Sequence, residues 1–146
     1  MNLKSIVAAT DFSEASLIAV ETAFNLSMES DATLYLLHII EYPLVTDPMI
    51  GVVAPQTDNL SREAGQRLQE LIPRNLSGMR VETAVLEGPA AREIAEFASK
   101  KHADLIVVGT HGRRGLTRVL MGSTAESLLR QAPCQVLVVK QKTAKE

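Results

Sequence analysis

The sequence contains few aromatic side chains and no tryptophan. Aromatic residues make up 3% of the chain, whereas apolar residues make up 46%. Any core must therefore be largely aliphatic, built from Val, Ile, Leu and Ala. The shortage of rings also disfavours proteins that stack flavins, splayed bases or single-stranded nucleic acid on aromatic side chains.

An excess of basic charge is missing as well. The chain has 15 basic and 17 acidic residues, for a formal net charge of −2. Proteins that bind duplex DNA by neutralising phosphates normally carry a basic stripe, so we predict no nucleic-acid partner. The single cysteine, Cys134, excludes an intrachain disulfide and a zinc site made only of cysteines. We interpret it as a small apolar residue rather than a nucleophile.

Long apolar runs and targeting signals are also missing. No apolar segment approaches the roughly 20 residues of a membrane span, and the first residues lead directly into an expected strand. We therefore expect a cytoplasmic protein without membrane association. The length fits one domain, residues 1–146, with a frayed tail at 141–146.

Five short apolar segments read as strands, and four segments with helical periodicity lie between them. The runs at 105–108 and 136–139 are continuous rather than alternating, which is typical of strands covered on both faces. This β-α-β-α-β-α-β-α-β order predicts an α/β domain with a parallel sheet and helices on both faces. The predicted strands are residues 3–9, 33–40, 80–87, 104–109 and 135–140.

Each predicted helix has recognisable signals. Ser13 is expected to cap the first, Pro89 to open the third, and Gly122 to stand near the start of the fourth. The apolar face of the second is predicted to hold Leu60, Ala64, Leu68, Leu71 and Ile72. The apolar face of the fourth is predicted to hold Ala125, Leu128, Leu129 and Ala132. The connections at 41–57 and 111–121 are unusually long, and we expect them to be loops.

Open α/β sheets bind ligands outside the carboxyl ends of their strands, where the winding reverses. Thr10 and Asp11 follow the first strand, and four of the eight glycines lie between Gly109 and Gly122, after the fourth. Glycines permit positive φ and close ligand approach, and bare N–H groups bind anions. The next helix opens at Gly122-Ser123-Thr124, where the helix dipole favours phosphate. Taken singly, each glycine has turn formation as the simpler explanation.

Two common phosphate-binding motifs are absent. The pattern GxxxxGK[ST] does not occur, and no lysine lies between Gly109 and Gly122. The dinucleotide fingerprint would belong in the first strand-to-helix turn, which has no glycines. A nucleotide site here would therefore differ from the Walker type and from the dinucleotide type.

The segment Gly109-x2-Gly112-x9-Gly122-Ser123 resembles the G-2x-G-9x-G-[ST] signature of ATP-binding universal stress proteins. The resemblance extends over essentially the whole chain, including the segments 10–13, 36–39 and 133–139. It implies a single-domain flavodoxin-like, Rossmann-like sandwich, similar to adenine nucleotide alpha hydrolases. The expected sheet has five parallel strands in the order 3-2-1-4-5.

The resemblance also implies roles for individual residues. Asp11 would hydrogen-bond the ribose, Ile39 would contact adenine through its main chain, and Val108 would line the same pocket. Thr10 and Arg113 are further candidate contacts. The residues implied to hold the ribose and phosphates are Gly109, Gly112, Gly122, Ser123 and Thr124.

Several of these side chains have alternative interpretations. Asp11 is also a candidate helix cap, although Ser13 can take that role. His38 is interpreted as a hydrogen-bonded structural residue, and His111 is a secondary candidate for phosphate contact. Phosphate pairing and a solvated surface are equally good interpretations of Arg113, Arg114 and Arg118.

The resulting hypothesis is an ATP-binding regulatory protein of the stress response. Asp11 is the only carboxylate of the proposed set, so Mg²⁺ or Mn²⁺ would arrive on the phosphates. The resemblance also implies a homodimer formed through the last strand, from Cys134 to Lys140. The alternatives are a slow ATPase or autophosphorylating protein, and a nucleotide-free interaction module.

Overall fold

The computed structural model describes residues 2–42, 45–53, 57–110 and 121–142, with only the backbone described at 45–47, 52 and 53. Among the described residues, no helix combines the length and apolar composition that a membrane crossing requires. The secondary structure elements are β1 (Ser5–Ala9), α1 (Glu14–Ser30), β2 (Thr33–Ile40), β3 (Val45–Asp47), β4 (Gly51–Val53), α2 (Asp58–Leu71), β5 (Val81–Glu87), α3 (Ala90–Lys100), β6 (Leu105–Gly109), α4 (Ser123–Gln131) and β7 (Gln135–Val139).

The main sheet has five parallel strands in the order β5-β2-β1-β6-β7. Counted along this sheet alone, that is the predicted order 3-2-1-4-5. β1 pairs with β2 on one side and with β6 on the other, and β6 also pairs with β7. The winding therefore reverses between β1 and β6, which confirms the predicted α/β architecture and its switch point.

Two aliphatic clusters lie on opposite faces of the sheet. Ile6 and Ala8 point to the face covered by α1 and α2, and Val7 and Ala9 point to the face covered by α3 and α4. Alternate residues of β6 divide in the same way, and Val7 pairs with Ile106 at the fully buried centre. The continuous apolar run at 105–108 thus reflects burial on both faces.

The same interpretation holds only in part for the run at 136–139, where Val136 and Val138 pack against the cluster on one face and Val139 against the cluster on the other. β7 is an edge strand whose pairing is to β6, and its residues are only partly buried. Leu137 remains 37% exposed. An edge strand has a neighbour on one side only, so apolar continuity in the sequence does not guarantee burial.

The helix starts agree closely with their signals. Ser13 is the N-cap of α1, and Gly122 is the N-cap of α4, while Pro89 is the N-cap of α3 rather than its first helical residue. Two predicted core positions are wrong, because Leu60 and Leu129 are both 52% exposed. At about 100° per residue, Leu60 lies about 80° around the axis from the buried Leu68, and Leu129 turns away from its buried neighbour Leu128.

A small antiparallel hairpin occupies part of the connection that was expected to be a loop. β3 pairs with β4, with Val45 opposite Val53 and Asp47 opposite Gly51. Residues 48–50 connect the two strands. Gly51, the first residue of β4, has φ +86°, a conformation that residues other than glycine rarely adopt. The Asp47-Pro48 pair and Gly51 are turn signals, but they bound strands too short to show periodicity.

Gly109 ends β6 where the strand meets the first turn of α1. A Cβ atom at this position would lie 2.9 Å from the carbonyl carbon and oxygen of Ala15. These are backbone atoms of a helix, so they cannot move aside cheaply. Gly109 and Gly122 both have negative φ, so the positive φ that glycine permits is not the reason for a glycine at either position. Close packing of strand against helix explains Gly109.

We expect Gly109→Ala to lower the free energy of unfolding by about 1–3 kcal/mol, because the added methyl group overpacks the contact with α1. Denaturant unfolding measures this change. Gly65→Ala is the matched control, since Gly65 lies inside α2 with open space around its Cβ direction. Alanine there should stabilise the protein by about 0.5–1 kcal/mol. Equal effects of the two substitutions would contradict the packing explanation.

Candidate functional site

The candidate site lies at the carboxyl edge of the sheet, where β1, β2 and β6 end and α1, α3 and α4 begin. The N–H of Thr110 donates to the carbonyl of Val139, and the N–H of Gly122 donates to the carbonyl of Thr110. These bonds place the start of α4 directly beside the end of β6. The structure thus brings together Gly109 and Gly122, two of the glycines singled out in the sequence.

Thr10 is buried and uses all its polar groups within the protein. Its N–H donates to the carbonyl of Leu37, and its hydroxyl is 2.8 Å from the hydroxyl of Ser16 and accepts from the N–H of Phe12. Its carbonyl accepts from Nδ1 of His38. We conclude that Thr10 holds the turn after β1, and this role of His38 is the structural one expected from the sequence.

Asp11 follows Thr10 at the edge and is partly exposed. Its Oδ1 accepts a hydrogen bond from the N–H of Ser13 at 3.0 Å. Ser13 in turn caps α1, since its hydroxyl accepts from the N–H of Ser16. Ser13 therefore caps α1 as predicted, and the Asp11 carboxylate stabilises the turn between β1 and α1 through its bond to Ser13.

Ile39 lies two positions beyond Leu37, which pairs with the last residue of β1, Ala9. The carbonyl of Leu37 faces β1, where it accepts from Thr10, and the carbonyl of Ile40 faces the β5 side, where it accepts from Gly88. Because backbone direction alternates along a strand, the N–H and C=O of Ile39 point to the β1 side, beyond the end of β1. This orientation suits recognition of a flat, hydrogen-bonding ligand by the main chain.

Val108 and Ile39 belong to the same apolar cluster, on the face covered by α3 and α4. Val108 is buried, and Ile39 is partly buried. The structure therefore places both residues on the side of the sheet where α3 and α4 begin.

The start of α4 offers backbone donors. Its N-cap, Gly122, has no side chain with which to cap, and the first helical bond runs from the N–H of Glu126 to the carbonyl of Gly122. The N–H groups of Ser123, Thr124 and Ala125 precede that bond and lie at the positive end of the helix dipole. Such a helix start favours an anion.

A cleft of about 220 Å³ separates the starts of α3 and α4. Pro89 and Ala90 line one side, and Ser123 and Thr124 line the other. Glu41, the first residue after β2, also lines this cleft, and its Oε1 accepts from the N–H of Ala90 at 2.8 Å. The start of α3 is therefore capped by a carboxylate of the protein itself.

The chain is similar to known proteins over almost its whole length. A family model for the universal stress protein family matches residues 2–140. This chain belongs to the universal stress protein family. Universal stress protein MJ0531 of Methanocaldococcus jannaschii is 41% identical to it over 143 residues, which cover 94% of this chain and 82% of MJ0531. The resemblance noted in the sequence is confirmed at the level of the family.

Solved structures share the fold of this universal stress protein. MJ0577 of M. jannaschii has a TM-score of 0.79 at 24% identity, with 99% of this chain and 100% of MJ0577 covered. A universal stress protein in complex with cAMP has a TM-score of 0.66 at 25% identity, covering 97% and 100%. One from Archaeoglobus fulgidus in complex with dAMP has a TM-score of 0.60 at 19% identity, covering 96% and 100%.

Part of the predicted site lies outside the described residues of this universal stress protein. Gly112 and Arg113 belong to that part, as do His111, Arg114 and Arg118. The frayed tail expected at 141–146 is described only to residue 142. Among the described residues, no cluster of three or more His, Cys, Asp or Glu side chains forms a metal site.

Sequence reasoning missed two charged residues of the cleft, Glu41 and Arg92. Arg92 lines the cleft from the first turn of α3 and forms an exposed ion pair with Glu93 at 3.4 Å. Such an exposed pair is weak, so Arg92 can exchange partners readily. Their positions in the sequence could have indicated them. Glu41 directly follows the second predicted strand, and Arg92 comes soon after the third, so both were expected near the carboxyl ends of the strands, where ligands bind.

Cys134 lies at the amino ends of the strands, at the other end of the sheet from the candidate site. It precedes β7, and Asp104 precedes β6, so both belong to the amino end of the strands. Burial, and secondarily the negative charge of Asp104, raise the pKa of the Cys134 thiol. A raised pKa favours the neutral thiol over the reactive thiolate, which supports the interpretation of Cys134 as an apolar residue.

We expect Glu41→Ala to lower the free energy of unfolding by about 0.5–1 kcal/mol, because α3 loses the acceptor at its start. This is the lower part of the range for N-cap losses, since Glu41 is exposed. Thermal and denaturant unfolding measure the change. Glu41→Gln keeps an acceptor oxygen and should retain most of the stability. If both variants match the original protein, Glu41 does not cap α3 in solution.

Proposed function

We propose that this universal stress protein binds ATP at the carboxyl edge of its sheet and acts as a nucleotide-dependent regulator. The observation that carries the proposal is the start of α4, where Ser123 and Thr124 line a cleft that faces the start of α3. Related structures hold cAMP and dAMP, which share an adenine and a phosphate. The choice of ATP over other adenine nucleotides is based on the glycine signature.

The described groups fit the parts of an adenine nucleotide. Main-chain groups of Ile39 and the apolar surface of Val108 would hold adenine, and the Asp11 carboxylate would accept from ribose hydroxyls. The N–H groups and hydroxyls of Ser123 and Thr124 would bind phosphate. Any Mg²⁺ or Mn²⁺ would be carried on the phosphates, where it neutralises part of their charge.

Regulation would follow from unequal affinity for two states of the protein, since a ligand shifts a conformational equilibrium only by that difference. We propose that the protein binds ATP without hydrolysing it, because none of the residues implied in the site is an evident general base. We further propose that it acts in the cytoplasm. A stress role follows from the family. Single-turnover measurements with labelled ATP would reveal a slow ATPase, if its rate exceeded the buffer background.

We expect Gly122→Val to abolish ATP binding while the fold is retained. Gly122 has φ −62° and ψ 155°, values that valine adopts readily, so the backbone is not strained. The branched side chain would occupy the space in front of the α4 N–H groups. Isothermal calorimetry with ATP, ADP and AMP measures the loss, and mass spectrometry of the extracted protein identifies any nucleotide carried through purification.

Gly65→Val is the matched control for this experiment. It adds the same side chain within α2, on the other face of the sheet, where the Cβ direction is open. ATP affinity should be unchanged in this variant. Undiminished ATP affinity in Gly122→Val would remove the start of α4 from the site. If the original protein binds no adenine nucleotide, the alternative function, a nucleotide-free interaction module, would be favoured instead.

We further propose a homodimer formed through β7. This strand is an edge of the sheet with an apolar sequence and a partly exposed Leu137, a combination that favours pairing with a second strand. Light scattering should give twice the 15.8 kDa mass of the chain, and Leu137→Glu should give a monomer. Leu60→Glu, at an exposed leucine of α2, is the control. A monomeric original protein, or a dimeric Leu137→Glu variant, would contradict the proposal.

A further inference from the structure

Phe12 adopts a left-handed backbone conformation, with φ +66°. Bulky side chains rarely occupy this region, because Cβ crowds the following carbonyl. Asp31 and His102 share it, but they follow helices α1 and α3, where left-handed residues are a common way to end a helix. Phe12 instead precedes a helix, between Asp11 and the N-cap Ser13, so other contacts must hold it there.

The ring of Phe12 contacts two side chains from different elements. The guanidinium of Arg67, from α2, is 3.8 Å from the ring centroid. The imidazole of His38, from β2, has its centroid at 4.7 Å with the planes tilted by 31°. We call Arg67, Phe12 and His38 the Phe12 stack. It ties the turn after β1 to both neighbouring elements.

His38 holds the turn on both sides of Asp11. Its Nδ1 is 2.8 Å from the carbonyl oxygen of Thr10, which only accepts, so Nδ1 carries the hydrogen. Its ring contacts Phe12, and the N–H of Phe12 donates to the hydroxyl of Thr10. Asp11 is thus held between two residues that the stack restrains. A change of the Phe12 backbone would redirect the Asp11 carboxylate and its bond to the N–H of Ser13.

The stack and the candidate cleft lie on opposite faces of the sheet. Phe12 packs against the cluster covered by α1 and α2, whereas the cleft opens between α3 and α4. Arg67 is not among the residues that line the cleft. An effect of Arg67 on ligand binding must pass through Phe12 to Asp11, or act as a long-range charge.

We propose that the Phe12 stack positions Asp11 for nucleotide binding, so that Arg67 and His38 control affinity without touching the nucleotide. This inference rests on the proposed function, because it assigns Asp11 to the nucleotide site. If so, α2 influences nucleotide affinity from the face of the sheet opposite to the cleft. Arg67 and His38 are positioning residues in this scheme.

A double-mutant cycle with ATP affinity as the readout tests the proposal. Arg67→Ala should weaken ATP binding about two- to fivefold, the equivalent of one exposed cation–π contact. Asp11→Ala should weaken it about five- to 150-fold, the equivalent of a charge-assisted hydrogen bond. Because Arg67 acts through Asp11, the double variant should bind as Asp11→Ala alone does. Additive losses, or unchanged affinity in Arg67→Ala, would overturn the positioning role.

Two variants separate positioning from simple loss of charge. Arg62→Ala removes the same charge from an exposed position of α2, and it should leave affinity unchanged. Arg67→Lys keeps a cation over the ring, and it should recover most of the affinity. An equal loss in Arg62→Ala and Arg67→Ala would show a general charge effect and reject the proposal. Thermal unfolding of each variant ensures that binding is measured on folded protein.

A second readout does not require nucleotide. Nuclear magnetic resonance shifts of the Asp11 carboxyl carbon and the Ser13 amide report the geometry of the turn in the free protein. Both should change in Arg67→Ala and stay constant in Arg62→Ala. Changed shifts in a protein that binds no nucleotide would reject the proposed function while supporting the positioning of Asp11. Unchanged shifts would reject the positioning, whatever the affinity.

Discussion

The pairing of β1 between β2 and β6 determines which groups meet at the carboxyl edge of this protein. Every strand of the sheet is parallel, so each following helix begins at that same edge. The winding reverses between β1 and β6, so α1, which follows β1, covers one face and α4, which follows β6, covers the other. Asp11 and Gly122, far apart in the chain, lie at the same edge for this reason. The apolar residues of β1 and β6 make the arrangement stable, since they are buried on both sides.

The helix starts at this edge are satisfied in different ways. α1 is capped by Ser13, a residue of its own turn, and α3 by the carboxylate of Glu41 from the end of β2. α4 begins with Gly122, which has no capping side chain. The carboxylate of Glu41 stands at the start of α3, whereas none of the described side chains caps α4. This difference supports the proposed phosphate site at Ser123 and Thr124 rather than one at Ala90.

Local signals predicted the elements of the main sheet well, because each strand and helix has a periodicity and an end signal of its own. The caps at Ser13 and Gly122 are examples. Predictions of burial were weaker. Leu60 and Leu137 are apolar but exposed, since burial depends on the angle around a helix and on the presence of a neighbouring strand. The β3–β4 hairpin was missed because strands of three residues carry almost no pattern.

The sequence by itself determined the α/β class and, through its family signature, the strand order, and it predicted the part of the chain where a phosphate site is expected. Glycine spacing and helix-start signals are local properties, so they can be read along the chain. Only the tertiary structure decided that Gly109 is required by the backbone of α1, that Glu41 caps α3, and that Arg67 and His38 both contact Phe12. These contacts join residues from different elements, and their energies depend on distances that no local pattern records.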